Sequence, residues 1–378
     1  MTHRRQIVLG SAAWLIAAGC AAATKRAKST GAKKVALVDD SAPDVVTYGL
    51  RDDVVRFAEA VAERRELDVE WVKSALAQAR FVPVVTRYIM PPTTGAAKNW
   101  AAYRARFVEP IRIRAGVAFW RTNQRWLGQA EDLYGVPPEI IVGIVGVESI
   151  YGRQMGDFRV IDALATLAFD FPTGRKDRSA FFRDELEAWF VLCKSEGVDP
   201  LAWRGSYAGA LGMAQFMPSS FNKYAVDFDG DGHVDLWRNG ADAIGSVAHY
   251  LAEFGWRRGL PTHFGVAVPV DTADRAVLLG PDILPTFELD DFTGRGARLD
   301  AAAFAADVRL TGSGGVGPLA LVELQNGDAA PSYVAGTSNF YAVTRYNWSS
   351  YYALAVIELG EAVAGELARE PALNVGNR

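Results

Sequence analysis

The stretch "YGVPPEIIVGIVGVESIYG", residues 134–152, decides how the chain is read. Pro137-Pro138 suits the first turn of a helix, where the missing N–H costs nothing. Eight residues without a polar side chain follow, Ile140 to Val147, and the run closes on Glu148 and then Gly152. An apolar helix of this length belongs in a core. A carboxyl group at its end has two readings. It is either the wet edge of a buried helix or an acid held in an apolar wall. Desolvation there disfavours the charged form and raises the pKa, which is what a general acid needs near neutral pH.

Around this stretch the chain reads as mainly helical. Residues 48–80 show helical periodicity in two pieces, and "PPTTG" at 91–95 breaks the chain. Residues 99–134 read as two helices, and 161–170, 178–196 and 240–255 as further ones. Pro218 with Ser219-Ser220 looks like another helix start. After residue 263 the pattern changes. "FGVAVPV", "PTFELDDF", "ADVRLTG", "LALVELQ" and "SYVAG" are short alternating runs between Gly, Pro and Asp, and they predict a small β unit. Helical character returns in "YYALAVIELGEAVAGELA". No internal repeat is visible.

Half of the 378 residues are hydrophobic, enough for a sizeable core. The net charge is −4 and no Lys/Arg run offers a phosphate-tracking surface, so nucleic acid is not an expected partner. Ten Trp and thirteen Tyr suit both core packing and stacking on a flat group such as a sugar ring. The N-terminus "MTHRRQIVLGSAAWLIAAGC" has a basic start, an apolar run and small residues, which predicts export. "AAGC" resembles a lipoprotein processing site, with Cys20 the lipidated residue, although Ala17 stands where Leu is usual. Arg4-Arg5 also resembles a twin-arginine signal. Cys193, in "AWFVLCKSEG", reads as a small buried hydrophobe rather than a nucleophile.

Two more stretches carry chemistry. In "GSYAGALGMAQFMPSSF", residues 205–221, close-set glycines permit tight backbone approach and Gln215 can bond an amide or hydroxyl. A packing joint of small residues is the alternative. In "DFDGDGHVDLW", residues 227–237, Asp227, Asp229 and Asp231 hold positions 1, 3 and 5 of a calcium-type loop. His233 would give a backbone carbonyl at position 7. Position 12 is Arg238 rather than Glu, so Asp242 on the next helix is the candidate to close the site. A solvated acidic turn is the plainer reading. No HExxH, GxSxG or Walker loop is present, and His3, His233, His249 and His263 do not cluster at metal-ligand spacing.

Five stretches in order resemble the membrane-bound lytic murein transglycosylase B family. They are "YGVPPEIIVGIVGVESIYG", "IDALATLAFDFP", "GSYAGALGMAQFMPSSFNKYAVDFDGDG", "AIGSVAHYLAEFGW" and "NFYAVTRYNWSSYYALAVIELG". The resemblance covers about 110–260 and 335–360. It implies an α+β, mainly α fold: a lysozyme-like helical core with an N-terminal helical domain and a small C-terminal β insertion. The implied division is a signal at 1–20, a flexible tether at 21–45 and an N-terminal helical domain at 46–110. A catalytic core at 111–262, a β domain at 263–336 and a returning segment at 337–372 complete it.

The implied activity is non-hydrolytic cleavage of peptidoglycan, with Glu148 as the single catalytic acid and no catalytic cofactor. Ser206, Gln215, Tyr250 and Tyr103 would contact sugar. Asn339, Tyr341, Arg345 and Tyr346 would form the opposite wall, and Arg178, in "TGRKDRSAFF", would face the peptide stem. Calcium would be structural. The expected partner is the glycan strand, approached by a monomer in the periplasm that Cys20 anchors to the outer membrane. A hydrolytic muramidase and a non-catalytic wall-binding lipoprotein are the rivals.

Overall fold

The computed structural model describes residues 46–49, 51–91, 98–300 and 315–369. The expected export signal, tether and Cys20, and the "ADVRLTG" strand, lie outside the described residues. Six helices, α1 (Asp52–Arg65), α2 (Val69–Ala77), α3 (Pro83–Tyr88), α4 (Trp100–Arg104), α5 (Pro110–Thr122) and α6 (Gln124–Tyr134), precede α7 (Pro138–Ser149). Strands β1 (Phe158–Arg159) and β2 (Arg204–Gly205) pair antiparallel and bracket α8 (Val160–Phe169) and α9 (Ser179–Ser195). Next come α10 (Pro218–Tyr224) and α11 (Gly240–Glu253). The β unit holds β3 (His263–Ala267), α12 (Thr272–Leu279), α13 (Leu289–Gly294), β4 (Arg298–Leu299), β5 (Ala320–Asn326) and β6 (Ala329–Gly336). Helices α14 (Ser338–Asn347) and α15 (Ser350–Arg369) bring the chain back to the centre. The fold is therefore α+β and mainly helical.

Residues 99–134 form three helices where two were expected. Glu109 accounts for the extra break: its carboxylate accepts the N–H groups of Ile111 and Arg112 and caps a new start at Pro110. "PTFELDDF" is another departure. Among the described residues only Phe287 bridges, to Leu319, and the acidic first turn of Asp290 and Asp291 favours a helix from Leu289. Asp271 likewise caps an unforeseen α12 by accepting from Ala273 and Asp274.

Four strands form an antiparallel sheet in the order β4-β3-β6-β5. Alternation along β5 serves two cores. Ala320, Val322 and Leu324 pack into the main helical core, whereas Leu321 joins a smaller cluster with Phe264, Phe292 and Ala335. One face of β5, with Val334 of β6, thus packs the β unit onto the helical body.

Helix α7 lies at the centre of the main core, and Ile140 to Val147 are all buried. Glycine allows its neighbours to come close. A Cβ at Gly143 would stand 2.2 Å from the Val356 carbonyl oxygen of α15, and one at Gly360 would stand 2.0 Å from that of Glu139. This seam presses α15 onto α7. It sets Tyr352, one turn into α15, beside the last turn of α7.

Candidate active site

Glu148 ends the apolar run of α7 and is only partly exposed. Burial pushes its carboxyl up to about 8, and the Tyr352 hydroxyl, donating at 2.5 Å, opposes that rise. No neighbouring carboxylate is among the causes of that shift. Asp162, the nearest acid in a buried helix downstream, is held by Arg159 at 2.7 and 2.8 Å and by the Arg80 N–H at 2.9 Å. Asp157 is exposed.

A cluster of tyrosines surrounds the acid. Tyr352 is wholly buried and lies parallel to Tyr346, with ring centroids 6.3 Å apart. Tyr346 meets Tyr250 at 4.8 Å. Burial raises the phenols of Tyr103, Tyr250, Tyr346 and Tyr352, and the Glu148 charge raises each further. They are neutral donors near neutral pH. Two hydroxyls are committed to backbone, Tyr346 to the Ala214 carbonyl at 2.9 Å and Tyr250 to that of Arg345 at 2.8 Å. Neither hydroxyl is left to donate to a ligand.

The 205–217 loop is wired to the same place. Ser149 Oγ donates to the Met213 carbonyl at 2.8 Å, one residue from the Tyr346 anchor. Gln215 adopts a left-handed φ of +50°, and its amide nitrogen donates to the Gly212 and Met155 carbonyls at 2.8 and 3.2 Å. Two carbonyl neighbours fix that orientation and leave the side-chain oxygen to accept from a ligand. Ser206 Oγ accepts the Ala210 N–H at 2.9 Å, which leaves its own proton to donate.

The remaining candidates divide. Arg345 lies between Phe254 at 5.0 Å and Trp348 at 4.9 Å and donates to the Tyr341 hydroxyl at 3.3 Å, so Tyr341 and Arg345 form one stacked unit. The Arg178 guanidinium lies 4.6 Å over Phe181 at the start of α9. Tyr103 stacks on Trp100 and meets Tyr351 edge-on. Asn339 is the correction. It is wholly buried, donates to the Arg257 and Leu260 carbonyls at 2.8 and 2.6 Å, and accepts the Arg257 N–H at 2.7 Å. All of this amide bonding is internal, so Asn339 is a strut under α14 and not a wall of the cleft.

Two residues escaped the sequence reading. Tyr352 is 204 positions from Glu148, so no local pattern pairs them. Asn347 is 8% exposed, and its buried Oδ1 has no hydrogen-bond partner among the described residues. Its place directly after Tyr346 was the available signal.

In the acidic loop, Asp227, Asp229 and Asp242 bring carboxylate oxygens within 4.8 Å of one another. The Asp231 carboxylate is not in that group and accepts the His233 N–H at 2.9 Å instead; the ligand expected from His233 is its backbone carbonyl, which a group of side-chain atoms does not include. Asp242 stands in the first turn of α11 and is fully buried. Burial raises its carboxyl, and the charges of Asp229 and Asp227 add to that. Three hard oxygens converging from loop and helix suit a calcium-class ion. Cys193 is buried as a free thiol, and burial pushes its pKa up, so it is inert. No helix among the described residues is long and apolar enough to cross a membrane.

Known proteins are similar to this chain in sequence and fold. Membrane-bound lytic murein transglycosylase B of Escherichia coli strain K12 is 37% identical over 317 residues, covering 82% of each chain. The solved Escherichia coli lytic transglycosylase SLT35 in complex with calcium matches with a TM-score of 0.69 at 35% identity, over 84% of this chain and 94% of that one. Pseudomonas aeruginosa SltB3 in complex with NAG-anhNAM-pentapeptide matches at 0.65 and 29% identity, over 82% of this chain and 79% of that one. The helical core is accordingly the lysozyme-like core of lytic transglycosylases. With the family model for the transglycosylase SLT domain matching residues 49–361, the chain belongs to that family.

Proposed function

We propose that this protein is a lytic transglycosylase that cleaves the bond between N-acetylmuramic acid and N-acetylglucosamine in peptidoglycan without consuming water. The observation that carries the reading is a carboxyl group kept protonated near neutral pH with no second carboxylate beside it. Two-carboxylate glycosidases place their acids about 5–9.5 Å apart. Here Glu148 gives its proton to the glycosidic oxygen as the C1–O bond breaks. The resulting carboxylate, steadied by the Tyr352 hydroxyl, takes the proton of the C6 hydroxyl on the same muramoyl ring. The C6 oxygen closes on C1, forming a 1,6-anhydro bridge and returning Glu148 to its protonated state. An intramolecular nucleophile carries an effective-molarity advantage over water. A relative captured with an anhydro-muramoyl ligand supports this product.

Ser206, Gln215 and the rings of Tyr103, Tyr250 and Tyr346 bind the strand, with Tyr341 and Arg345 beyond them. Arg178 is the candidate for the stem peptide. Asp227, Asp229 and Asp242 seat a structural calcium, in keeping with a relative solved with that ion. A lipid on Cys20 fastens the protein to the outer membrane on the periplasmic side, as the name of the membrane-bound relative suggests.

The test is a digest of purified sacculi followed by mass spectrometry of the muropeptides. Anhydro-muramoyl ends are expected. Reducing ends, each one water heavier, would assign the protein to the hydrolytic muramidases. Undigested sacculi that still retain the protein would assign it to the wall-binding class.

A further inference from the structure

Immediately after Glu148 the chain reverses through two residues that rarely adopt a left-handed backbone, Ile150 at φ +50° and Tyr151 at φ +55°. Such conformations persist only where the surroundings enforce them. The Ile150 and Tyr151 N–H groups close back on the Gly146 and Val145 carbonyls, each at 3.3 Å. The Tyr151 side chain then runs back between α5 and α7, with its ring 5.2 Å from that of Phe119.

Two glycines make room for it. A Cβ at Gly116 would stand 2.5 Å from the Tyr151 hydroxyl oxygen, and one at Gly146 would stand 2.4 Å from it. The hydroxyl is buried and has no hydrogen-bond partner among the described residues. Local stability alone would favour Gly for the backbone and Phe for the ring. Gly146 and Glu148 are two residues apart, or roughly 200° around the helix, so they face opposite ways. Tyr151 meets the last turn of α7 at Gly146, beside Leu359 of α15, while Tyr352 near the start of α15 receives Glu148.

We propose that Tyr151, seated in the socket formed by Gly116 and Gly146, is a positioning residue that braces α7 from behind and holds the Glu148 carboxyl against Tyr352. This rests on the reading of Glu148 as the acid. Small displacements of a catalytic group are expensive, about a hundredfold for 1 Å.

The experiment compares Gly116→Ala, whose Cβ would meet the Tyr151 hydroxyl and the Val363 Cγ2 at 2.5 Å each, with Tyr151→Phe, which keeps the ring, and with Val363→Ala, which controls for the second contact. Two quantities are read: kcat and KM on soluble glycan strands, and the carboxyl titration of Glu148 by 13C NMR, assigned through Glu148→Gln. Gly116→Ala should lower kcat about tenfold or more with little change in KM. Its Glu148 should also titrate above the wild-type position, because the Tyr352 donor that opposes the rise is loosened. Tyr151→Phe should match wild type in both, with equal or higher Tm. Tyr151→Leu replaces Gly116→Ala if that variant does not fold. Brace-loss variants that lose Tm yet keep wild-type kcat and titration would reduce Tyr151 to packing. Loss of kcat in Tyr151→Phe would move the role to the hydroxyl and overturn the brace. Retained turnover in Glu148→Gln breaks the catalytic reading instead, and the NMR titration then still tests the brace.

Discussion

Two acidic sites in this molecule treat carboxylates in opposite ways. Among the described residues Glu148 has one donor, the Tyr352 hydroxyl, and its carboxyl is desolvated at the end of an apolar helix among tyrosine rings, so it holds its proton up to about 8. Asp227 is given three backbone donors, the N–H groups of Gly230, Asp231 and Gly232, and its carboxyl is held below the usual range. Asp242 stands between them. It accepts the N–H groups of Phe228 and Asp235 at 2.9 and 2.8 Å, yet burial and two neighbouring charges still raise it. Donors stabilise the anion, and desolvation and like charge destabilise it. The balance suits one carboxyl to storing a proton and the other cluster to seating a cation.

The sharpest way to break the comparison is Glu148→Gln. Losing a general acid–base removes about 10²–10⁴ of rate. Release of muropeptides should fall by that much while binding to sacculi persists, and unchanged release would remove Glu148 from its role. Tyr352→Phe comes next. A hydrogen bond to a charged group contributes about 1.5–3 kcal/mol, so kcat should fall about 10–100-fold. The same variant should move the acidic group seen in the pH–rate profile above its wild-type position, because the lost donor opposed the rise. A profile that does not move would mean that the short contact is not felt by the carboxyl.

On the other side of the comparison, calcium should raise Tm. An ion at a hundred times its Kd stabilises by about 2.7 kcal/mol, and Asp242→Asn should remove most of that gain. The gain should shrink as the pH falls, since protons compete for a carboxyl whose pKa is raised. A calcium response that survives in Asp242→Asn would place the ion elsewhere or leave the loop a plain turn.

Much of this was legible because the signals are local. The Pro137-Pro138 start, the eight apolar residues and the calcium-type spacing of Asp227 and Asp229 each fall within one element. What stayed hidden depends on distant partners. Tyr352 reads as one more aromatic on a helix face until α15 is packed on α7. Asn339 sits in a motif that looks functional, yet its amide is consumed by the 257–260 turn, about 80 residues upstream. "PTFELDDF" looks strand-like because alternation is visible, whereas the pairing that would make it a strand is confined to one bridge. Asp242 was identified as the candidate closing ligand because position 12 of the loop is Arg238 and Asp242 follows four residues on, in the first turn of the next helix, a local signal again.

The smallest expected effect tests the comparison without any catalysis. At pH 4 the carboxyl of Glu148 is largely protonated whether the chain is folded or not, so wild type and Glu148→Gln should melt alike. As the pH rises past the ordinary carboxyl value of 4.5, the unfolded chain ionises this group while the folded chain does not until about 8. The folded state binds the extra proton, so wild type loses stability through that window. Glu148→Gln has no such proton, and its Tm advantage should therefore grow from pH 4.5 to 8 and then level off, at about 1–2 kcal/mol for a group partly reached by water. Asp227→Asn should show the opposite slope. Its carboxyl is held low by backbone donors, so the wild-type advantage is present at neutral pH and disappears as the pH falls through that lowered value. Parallel slopes in the two variants would mean that the sites do not differ in the way their donors indicate. Opposed slopes would separate proton store from cation seat by calorimetry alone.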